Sequence, residues 1–292
     1  MTQPRPLTAK VRPLVQTSSS IIMPRRAIAF FGDYDTGKTF AAFSFPDPFA
    51  LYFDTNLSTV AKFPDVPFTT PLSWREVEET WIPALNNRRV SELVGKKVQT
   101  VIVDSVSFLN AARMEDLSRS GKMAMENLQW SELHANITQL LRAGGNATKP
   151  HPTLKDAETY HFVCTVHMRT QTDKKGQVIK VAPLIDGQAR EQFFSFFDAV
   201  LVTDSQTVPR SVVVEEGKPP KVLYEKQRFA WTVDPNQFTK TKNHIGPIPP
   251  RLAPFTYDVL AAHWGLDGRK ESPPPNEVVE LSNNNEGATT DV

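Results

Sequence analysis

Short apolar runs alternate with amphipathic stretches along the middle of this 292-residue chain. Between the runs, apolar side chains recur at helical spacing, as in the stripe formed by Leu133, Ile137, Leu140 and Leu141. Strands that alternate with helices predict a mostly parallel sheet covered by helices on both faces. The pattern therefore predicts one α/β domain. The apolar runs, each with the length of a buried strand, lie at residues 27–31, 50–53, 98–103, 161–166 and 199–202.

One helix is predicted in more detail, between the second and third of these strands. Ser73 is followed three residues later by Glu76, the spacing of a capping box, in which each side chain bonds the backbone N–H of the other residue. Trp74, Val77 and Trp81 then fall on one side of the helix. We therefore expect a helix that begins after Ser73 and buries both tryptophans.

The two ends of the chain differ from the middle in composition. Residues 1–26 contain five basic residues, no acidic residue and several prolines, which favours a flexible basic arm over an organelle transit peptide. Residues 271–292 contain five acidic residues and no basic one, and their low apolar content is typical of disorder. The predicted organisation is an arm over residues 1–25, a domain over 26–266 and an acidic tail over 267–292.

Charge and cysteine content exclude several classes of protein. The 33 basic and 32 acidic residues give a formal net charge of +1, so contact with nucleic acid requires a local basic surface. The single cysteine, Cys164, excludes a disulfide framework and a cysteine-cluster zinc site, and it suits a reducing compartment. No apolar run approaches the ~18 residues of a membrane span. We therefore expect a cytoplasmic protein.

The sequence Gly-Asp-Tyr-Asp-Thr-Gly-Lys-Thr at residues 32–39 matches the phosphate-binding pattern G-x-x-x-x-G-K-[ST]. In this pattern the glycines let backbone N–H groups wrap phosphate oxygens, the lysine reaches the β- and γ-phosphates, and the last hydroxyl binds Mg²⁺. A strand candidate precedes the motif and a helical pattern follows it, as the chemistry requires. The motif predicts ATP and Mg²⁺ as cofactors, bound by Gly32, Asp33, Tyr34, Asp35, Thr36, Gly37, Lys38 and Thr39.

Carboxylates affect this predicted site in two ways. Asp33 and Asp35 lie inside the loop, where they repel a polyphosphate unless Mg²⁺ or a basic group compensates their charge. Asp104 ends the apolar run at 98–103, and a carboxylate at the carboxyl edge of a parallel strand can make a second contact to Mg²⁺. Because Ser105 follows, rather than a second acid, the base that activates water must come from elsewhere.

These elements together resemble the RecA-like ATPase core, in particular the phage RecA-core proteins of single-strand annealing and recombination, which are similar to the central domain of RadA. The resemblance runs from Arg26 to Trp264. It implies a RecA-like P-loop NTPase core, in which a mostly parallel twisted sheet is flanked by helices, with disordered termini. The elements that carry it are residues 32–39, the Asp54-Thr55-Asn56 strand end, Asp104, the strand end at His167, and Lys-Asn-His-Ile-Gly at 242–246, which resembles the Lys-Asn-Arg-Phe-Gly of RadA.

The family's roles can be carried over to matching positions of this chain. By resemblance, Lys38 and Thr39 hold the triphosphate and Mg²⁺, with Asp104 behind them. His167 senses the γ-phosphate and relays its presence to the loop that follows. Lys242 reaches the nucleotide of a neighbouring subunit, where it neutralises transition-state charge. A lysine that acts between subunits implies a homo-oligomer, either a ring or a filament.

Two departures from the family bear on turnover. Asn56 stands where the family carries its catalytic glutamate, and an amide can orient water but cannot accept its proton. Asp54 is a possible substitute, although two residues along a strand place it ~7 Å away. His244 replaces the arginine of the RadA element, which removes a permanent bidentate charge. We therefore expect a slow ATPase, stimulated by DNA.

Single-stranded DNA is the partner that the resemblance implies for the segment after His167. Turn-forming residues at 173–176 separate two alternating stretches, which predicts a hairpin. Phosphate neutralisation by this segment would make binding steeply salt-dependent and tolerant of sequence. Residues 167–190 contain two acidic residues and five basic ones, the candidate DNA-binding residues Arg169, Lys174, Lys175, Lys180 and Arg190.

Several alternatives stay open from the sequence. His167 fits equally a partly buried structural histidine, and Lys242 and the basic hairpin fit ordinary solvated surfaces. Asp54 fits equally a residue that only stabilises a turn or a helix N-terminus. The whole chain fits an ATP-gated DNA-binding module without significant turnover, or another P-loop enzyme such as a helicase loader or a small-molecule kinase. The acidic tail fits a competitor of DNA for the hairpin, or a docking segment for a single-strand-binding protein. A phage origin, implied only by the resemblance, would place the protein in the host cytoplasm.

Overall fold

The structure of the chain is a computed structural model, which describes residues 25–118, 125–154, 157–213, 221–237 and 239–266. The predicted basic arm up to residue 24 and the acidic tail from residue 267 lie outside the described residues. Their disorder, and the division of the chain at those points, stay predictions.

A mixed sheet organises the described part of the chain, which contributes ten strands to it. Their order is β10-β8-β7-β1-β5-β4-β2-β3, with β6 beside β5 and β9 beside β7. The path from β7 to β3 is parallel throughout, whereas β8, β10, β6 and β9 pair antiparallel. The predicted mostly parallel sheet is therefore confirmed. The strands are β1 (Ala27–Gly32), β2 (Pro48–Tyr52), β3 (Phe68–Thr69), β4 (Thr100–Asp104), β5 (His161–Thr172), β6 (Val178–Pro183), β7 (Ala199–Val213), β8 (Lys221–Trp231), β9 (Lys242–Asn243) and β10 (Arg251–Leu252).

Helices cover both faces of the sheet, because each central strand is apolar on both sides. Along β1, Ala29 and Phe31 join a core that includes the apolar stripe of α6, while Ile28 and Phe30 join a second core with α1 and α8. The helices are α1 (Lys38–Phe43), α2 (Trp74–Glu76), α3 (Ile82–Asn86), α4 (Val90–Val94), α5 (Val106–Ser118), α6 (Asn127–Ala147), α7 (Ala189–Gln192) and α8 (Tyr257–Trp264). Among the described residues, none of the helices combines the length and apolarity needed to cross a membrane.

The predicted helix after Ser73 is present and buries both tryptophans, Trp74 and Trp81. Only half of the capping box forms: Ser73 Oγ accepts from Glu76 N, but the Glu76 carboxylate accepts from Leu72 N instead of Ser73 N. A π-helical turn over Val77–Trp81 joins α2 to α3. Apolar spacing therefore predicted the buried side of the helix, although it did not predict the irregular turn.

Candidate functional site

The phosphate loop lies where β1 ends and α1 begins, at the carboxyl edge of the parallel strands. Gly32 must be glycine, because a Cβ there would lie 2.2 Å from Thr203 Oγ1 and 2.4 Å from the Thr203 carbonyl oxygen. Gly37 adopts a left-handed conformation with φ of 90° directly before α1, which favours glycine. Thr36 Oγ1 bonds Thr203 Oγ1 at 2.7 Å. The two glycines thus let the loop lie tightly against β7.

Lys38 is buried beneath this loop. Its ammonium group donates to the carbonyl oxygens of Gly32, at 3.0 Å, and Asp33, at 2.5 Å. Burial lowers the pKa of Lys38 to about 8, against the opposing charges of Asp104, Asp33 and Asp35. The charge of this lysine is therefore sensitive to neighbouring carboxylates, and a bound anion would stabilise the ammonium form.

Asp104 ends β4 as a buried carboxylate next to Thr39 and Thr165. Burial raises its pKa, while hydrogen bonds from the Thr165 and Thr39 hydroxyls and the charge of Lys38 act in the opposite direction. Thr165 Oγ1 donates to Asp104 Oδ1. The other oxygen, Oδ2, is buried without a hydrogen-bond partner in the described part of the chain. A buried, half-satisfied carboxylate is costly unless another group binds it.

Mg²⁺ fits this arrangement. Asp104 Oδ2 is free to accept a cation or a cation-bound water, and the Thr39 hydroxyl lies at the same carboxylate. No group of three or more His, Cys, Asp or Glu side chains within the described ranges is arranged to hold a metal ion by itself. Mg²⁺ bound with few protein ligands normally completes its coordination with phosphate oxygens and water. Thr39 and Asp104 would hold the ion, which would neutralise charge on the phosphates.

The family assignment rests on the whole α/β region. The family described as "AAA domain" matches residues 25–244, which span the phosphate loop, Asp104, His167 and Lys242. The chain belongs to the AAA domain family. Its match covers most of the described residues, so this AAA domain is a nucleotide-binding domain of the P-loop ATPase type.

Other comparisons add little to the assignment. No curated protein matches this AAA domain. One similar solved structure is described as a prototypical ATPase from the type III secretion system of pathogenic bacteria, with a TM-score of 0.40 and 16% identity. The similarity covers 61% of this chain and 50% of that one. The match therefore spans half the length of the solved ATPase.

His167 lies at the end of the buried part of β5 and contacts the phosphate loop of the AAA domain. Its ring stacks on Tyr34 with centroids 4.2 Å apart, and the edge of Phe108 packs on it at 5.3 Å. Burial and the charge of Lys38 lower the pKa of His167 to about 4, so the imidazole is neutral at physiological pH. The structure places the predicted sensor beside the loop, with the ring Nδ1 buried and without a hydrogen-bond partner among the described residues.

Asp54 and Asn56 follow β2 and have different surroundings. Asp54 lies close enough to Asp104 and His167 for its charge to raise the pKa of both groups. The Asn56 side-chain oxygen instead accepts from Ser58 N at 3.0 Å, and Asn56 N donates to Asp54 Oδ1 at 2.9 Å. Asn56 is therefore engaged in a local turn. Of the two candidates for activating water, Asp54 is the one whose charge acts on Asp104 and His167.

Two basic residues near the loop were missed by sequence reasoning. Lys226 Nζ and Arg228 Nη2, both from β8, each donate to the Asp35 carboxylate at 2.7 Å. These bonds lower the pKa of Asp35 to about 2, and they supply the compensating charge that the loop carboxylates require. A signal was present, since alternate positions of a strand face the same way. The sequence does not show that β8 pairs with β7 beside the loop, so it could not predict that these two side chains reach Asp35.

The predicted hairpin is confirmed as β5 and β6, which pair antiparallel from Met168↔Pro183 to Thr172↔Val178. The Asp173 carboxylate accepts from Lys175 N and Gln177 N in the turn. Three of the five basic residues form surface ion pairs: Arg169 with Asp186, and Lys180 and Arg190 with Glu191. Lys174 and Lys175 are exposed at the tip and have no ion pair within the described residues.

Lys242 lies away from the phosphate loop of its own chain. It belongs to β9, and its ammonium group donates to the Phe194 carbonyl at 3.0 Å, while burial lowers its pKa. A cavity of about 560 Å³ is lined by Lys242 together with Lys180 and Arg190 of the predicted DNA-binding set. The structure thus gathers residues that the sequence assigned to separate roles, and it leaves Lys242 apart from Lys38, Asp104 and His167.

Proposed function

We propose that this AAA domain binds ATP and single-stranded DNA and acts in phage recombination or strand annealing. Nucleotide binding follows from the family and the loop, whereas DNA, annealing and phage origin are supported by the sequence resemblance and by the basic hairpin. The observation that carries the proposal is the course of β5. This strand contacts the phosphate loop through His167 and enters the hairpin at the next residue, Met168.

His167 contacts the phosphate loop, α5 and the residue that follows β6, which are the elements between the nucleotide site and the hairpin. Its backbone N–H donates to Ser107 Oγ at 3.0 Å, and its carbonyl accepts from Leu184 N at 2.7 Å, directly after β6. Its ring contacts Tyr34 of the loop. A shift of the loop on binding nucleotide would therefore move both strands of the hairpin. This linkage gives a physical route by which ATP changes affinity for DNA.

Hydrolysis in this proposal is slow. The side chain of Asn56, at the position of the expected catalytic base, is bonded to Ser58. Asp54 would therefore have to activate the water, and its charge acts on Asp104 and His167. As it lies two residues before that position, it would do so inefficiently. Lys242 would complete the site of a neighbouring subunit in a ring or filament. The basic residues Lys180, Arg190 and Lys240, which line the cavity with Lys242, support a contact with phosphate groups.

A second candidate function is an ATP-gated DNA-binding module with negligible turnover. The turn that engages Asn56 favours it, since the Asn56 side-chain oxygen already accepts from Ser58 N and Asp54 Oδ1 from Asn56 N. The two functions differ only in the fate of ATP, so one experiment separates them.

The test is Mg²⁺-dependent ATP hydrolysis with and without single-stranded DNA. The matched variants are Lys38→Ala and, as a control, Lys62→Ala, an exposed lysine after the loop. The first function predicts slow turnover that DNA stimulates and that Lys38→Ala abolishes, with Lys62→Ala unchanged. ATP-dependent DNA binding without turnover would favour the gated module. If DNA altered neither turnover nor nucleotide affinity, the recombination proposal would be wrong.

The acidic tail gives a further test of DNA binding. If residues 267–292 compete with DNA for the basic hairpin, removing them should tighten binding about 3-fold at low salt and have no effect at high salt, where charges are screened. Affinity that is unchanged at both salt concentrations would remove the competition hypothesis. Docking of a single-strand-binding protein on the tail would then remain to be tested with the full chain in a pull-down.

A further inference from the structure

An ion cluster joins the phosphate loop to β8. Lys226 and Arg228 both bond the Asp35 carboxylate at 2.7 Å, and Arg228 Nε donates to the Asp35 backbone oxygen at 3.1 Å. Asp35 itself has a left-handed conformation with φ of 55°, which is uncommon for a non-glycine residue. Several contacts from one strand therefore fix an unusual point of the loop.

Arg228 also covers the part of the loop that would wrap phosphate. Its Cδ lies 2.9 Å from the position that a Cβ on Gly37 would occupy. The aliphatic stem therefore runs against the second glycine of the motif, and the guanidinium lies at the rim of the backbone that binds anions. A planar guanidinium in this position has further N–H groups to offer to phosphate oxygens.

The ion cluster carries a net positive charge, which favours the binding of a polyphosphate. One carboxylate faces two cations, so the group is net positive when all three are ionised. The side chains are also exposed enough to rearrange, with 44% of Arg228 and 41% of Lys226 accessible. Asp35 occupies donors that a bound phosphate would otherwise attract.

We propose that Lys226 and Arg228 are phosphate-binding residues of the nucleotide site in their own chain, held by Asp35 until nucleotide arrives. On binding, the polyphosphate takes over hydrogen bonds that Asp35 accepts from Lys226 and Arg228 in the structure. This inference deepens the proposed function and rests on it for nucleotide binding. Since Arg228 pairs with Ser205 in the β7–β8 ribbon, the exchange also ties the position of that ribbon to the occupied loop.

The test compares nucleotide affinity by equilibrium fluorescence for the wild type, Arg228→Ala, Asp35→Asn and the double variant. Removing Arg228 should weaken ATP binding roughly 10-fold, ADP less and AMP hardly at all, because charge-assisted bonds to the outer phosphates are lost. The double variant should stay roughly 10-fold weaker than Asp35→Asn alone. If the double variant matched Asp35→Asn, Arg228 would only neutralise Asp35 and the inference would be wrong.

Arg210→Ala is the matched control, because Arg210 lies on the same ribbon and bonds Glu225 in an exposed pair at 3.3 Å. It should bind ATP like the wild type. Arg228→Lys should give intermediate affinity, since it keeps the charge and loses the planar fork. Thermal unfolding of each variant checks folding. If the wild type and Arg210→Ala bound no ATP, the proposed function itself would fail, whereas normal ATP binding by Arg228→Ala would overturn only this inference.

A mixing experiment tests whether Arg228 serves its own chain. Arg228→Ala and Lys38→Ala subunits are combined in equal amounts, so that each intact Arg228 belongs to a chain with a disabled loop. Action within one chain predicts that the mixture gains no tight ATP site. A restored tight site would mean that Arg228 acts on a neighbouring subunit, which would overturn the assignment.

Discussion

The phosphate loop and the basic hairpin both contact β5, but they differ in the burial of their charged side chains. Around the loop, Lys38 and Asp104 are buried and held by short polar contacts to Gly32 and Thr165. In the hairpin, the charged side chains are exposed and their ion pairs lie at the surface. Removing one partner of a buried charge interaction costs about 3–5 kcal/mol, whereas exposed pairs contribute ~0–1 kcal/mol.

This difference separates two kinds of function in one domain. Buried, bonded groups such as Lys38 and Asp104 can fix the geometry of a polyphosphate, because these two groups need little reorganisation on binding. An exposed, weakly paired hairpin can exchange its surface partners for phosphates of DNA with little loss. His167 belongs to both regions, being buried against Tyr34 and bonded to Leu184 after the hairpin.

The largest expected effect is at the loop. Asp104→Asn should reduce Mg²⁺-dependent turnover at least ~100-fold, because it removes a carboxylate that would hold the metal. Its folded pKa is raised, so the ionised form destabilises the fold once the pH exceeds the unfolded pKa. At neutral pH the melting temperature of Asp104→Asn should therefore rise by roughly 2–4 °C for each kcal/mol gained in the free energy of unfolding.

Asp65→Asn, an exposed acid, serves as the control for Asp104→Asn and should change neither quantity. A lower melting temperature for Asp104→Asn, with turnover still dependent on Mg²⁺, would mean that Asp104 is a structural residue.

The hairpin should give a smaller effect that depends on salt. Lys174→Ala with Lys175→Ala should weaken single-stranded DNA binding roughly 10-fold near 0.1 M salt and make the salt dependence shallower by about 1.4 in logarithmic slope. Lys96→Ala with Lys97→Ala removes the same charge before β4, at the opposite edge of the sheet. Equal losses for both pairs in a fluorescence anisotropy titration would argue against a specific role of the hairpin.

The smallest expected effect is a pH dependence at the loop. The pKa of Lys38 is about 8, so ATP affinity should fall about 10-fold or less per pH unit as the pH rises above that value. Asp35 raises the pKa of Lys38, so in Asp35→Asn the decline should begin at lower pH. A decline that begins at the same or a higher pH would contradict this electrostatic description.

Local patterns predicted the loop and the central strands well, because glycine spacing and apolar runs determine them at short range. The run at 98–103 overlaps β4, and the run at 199–202 lies within β7. Contacts between distant segments were not predictable: the approach of β8 to Asp35, and the cavity that gathers Arg190 and Lys242, depend on how strands pair across the sheet. Apolar periodicity carries no information on which polar residues meet in space.

The central claim is that the state of the phosphate loop reaches the hairpin through β5. The most direct measurement is the affinity for single-stranded DNA, with and without Mg²⁺ and ATP, in the wild type and in Lys38→Ala. The account predicts that ATP changes the affinity of the wild type several-fold, on the order of 1 kcal/mol of coupling, and leaves Lys38→Ala unchanged. Equal DNA affinity of the wild type in the presence and absence of ATP would contradict it.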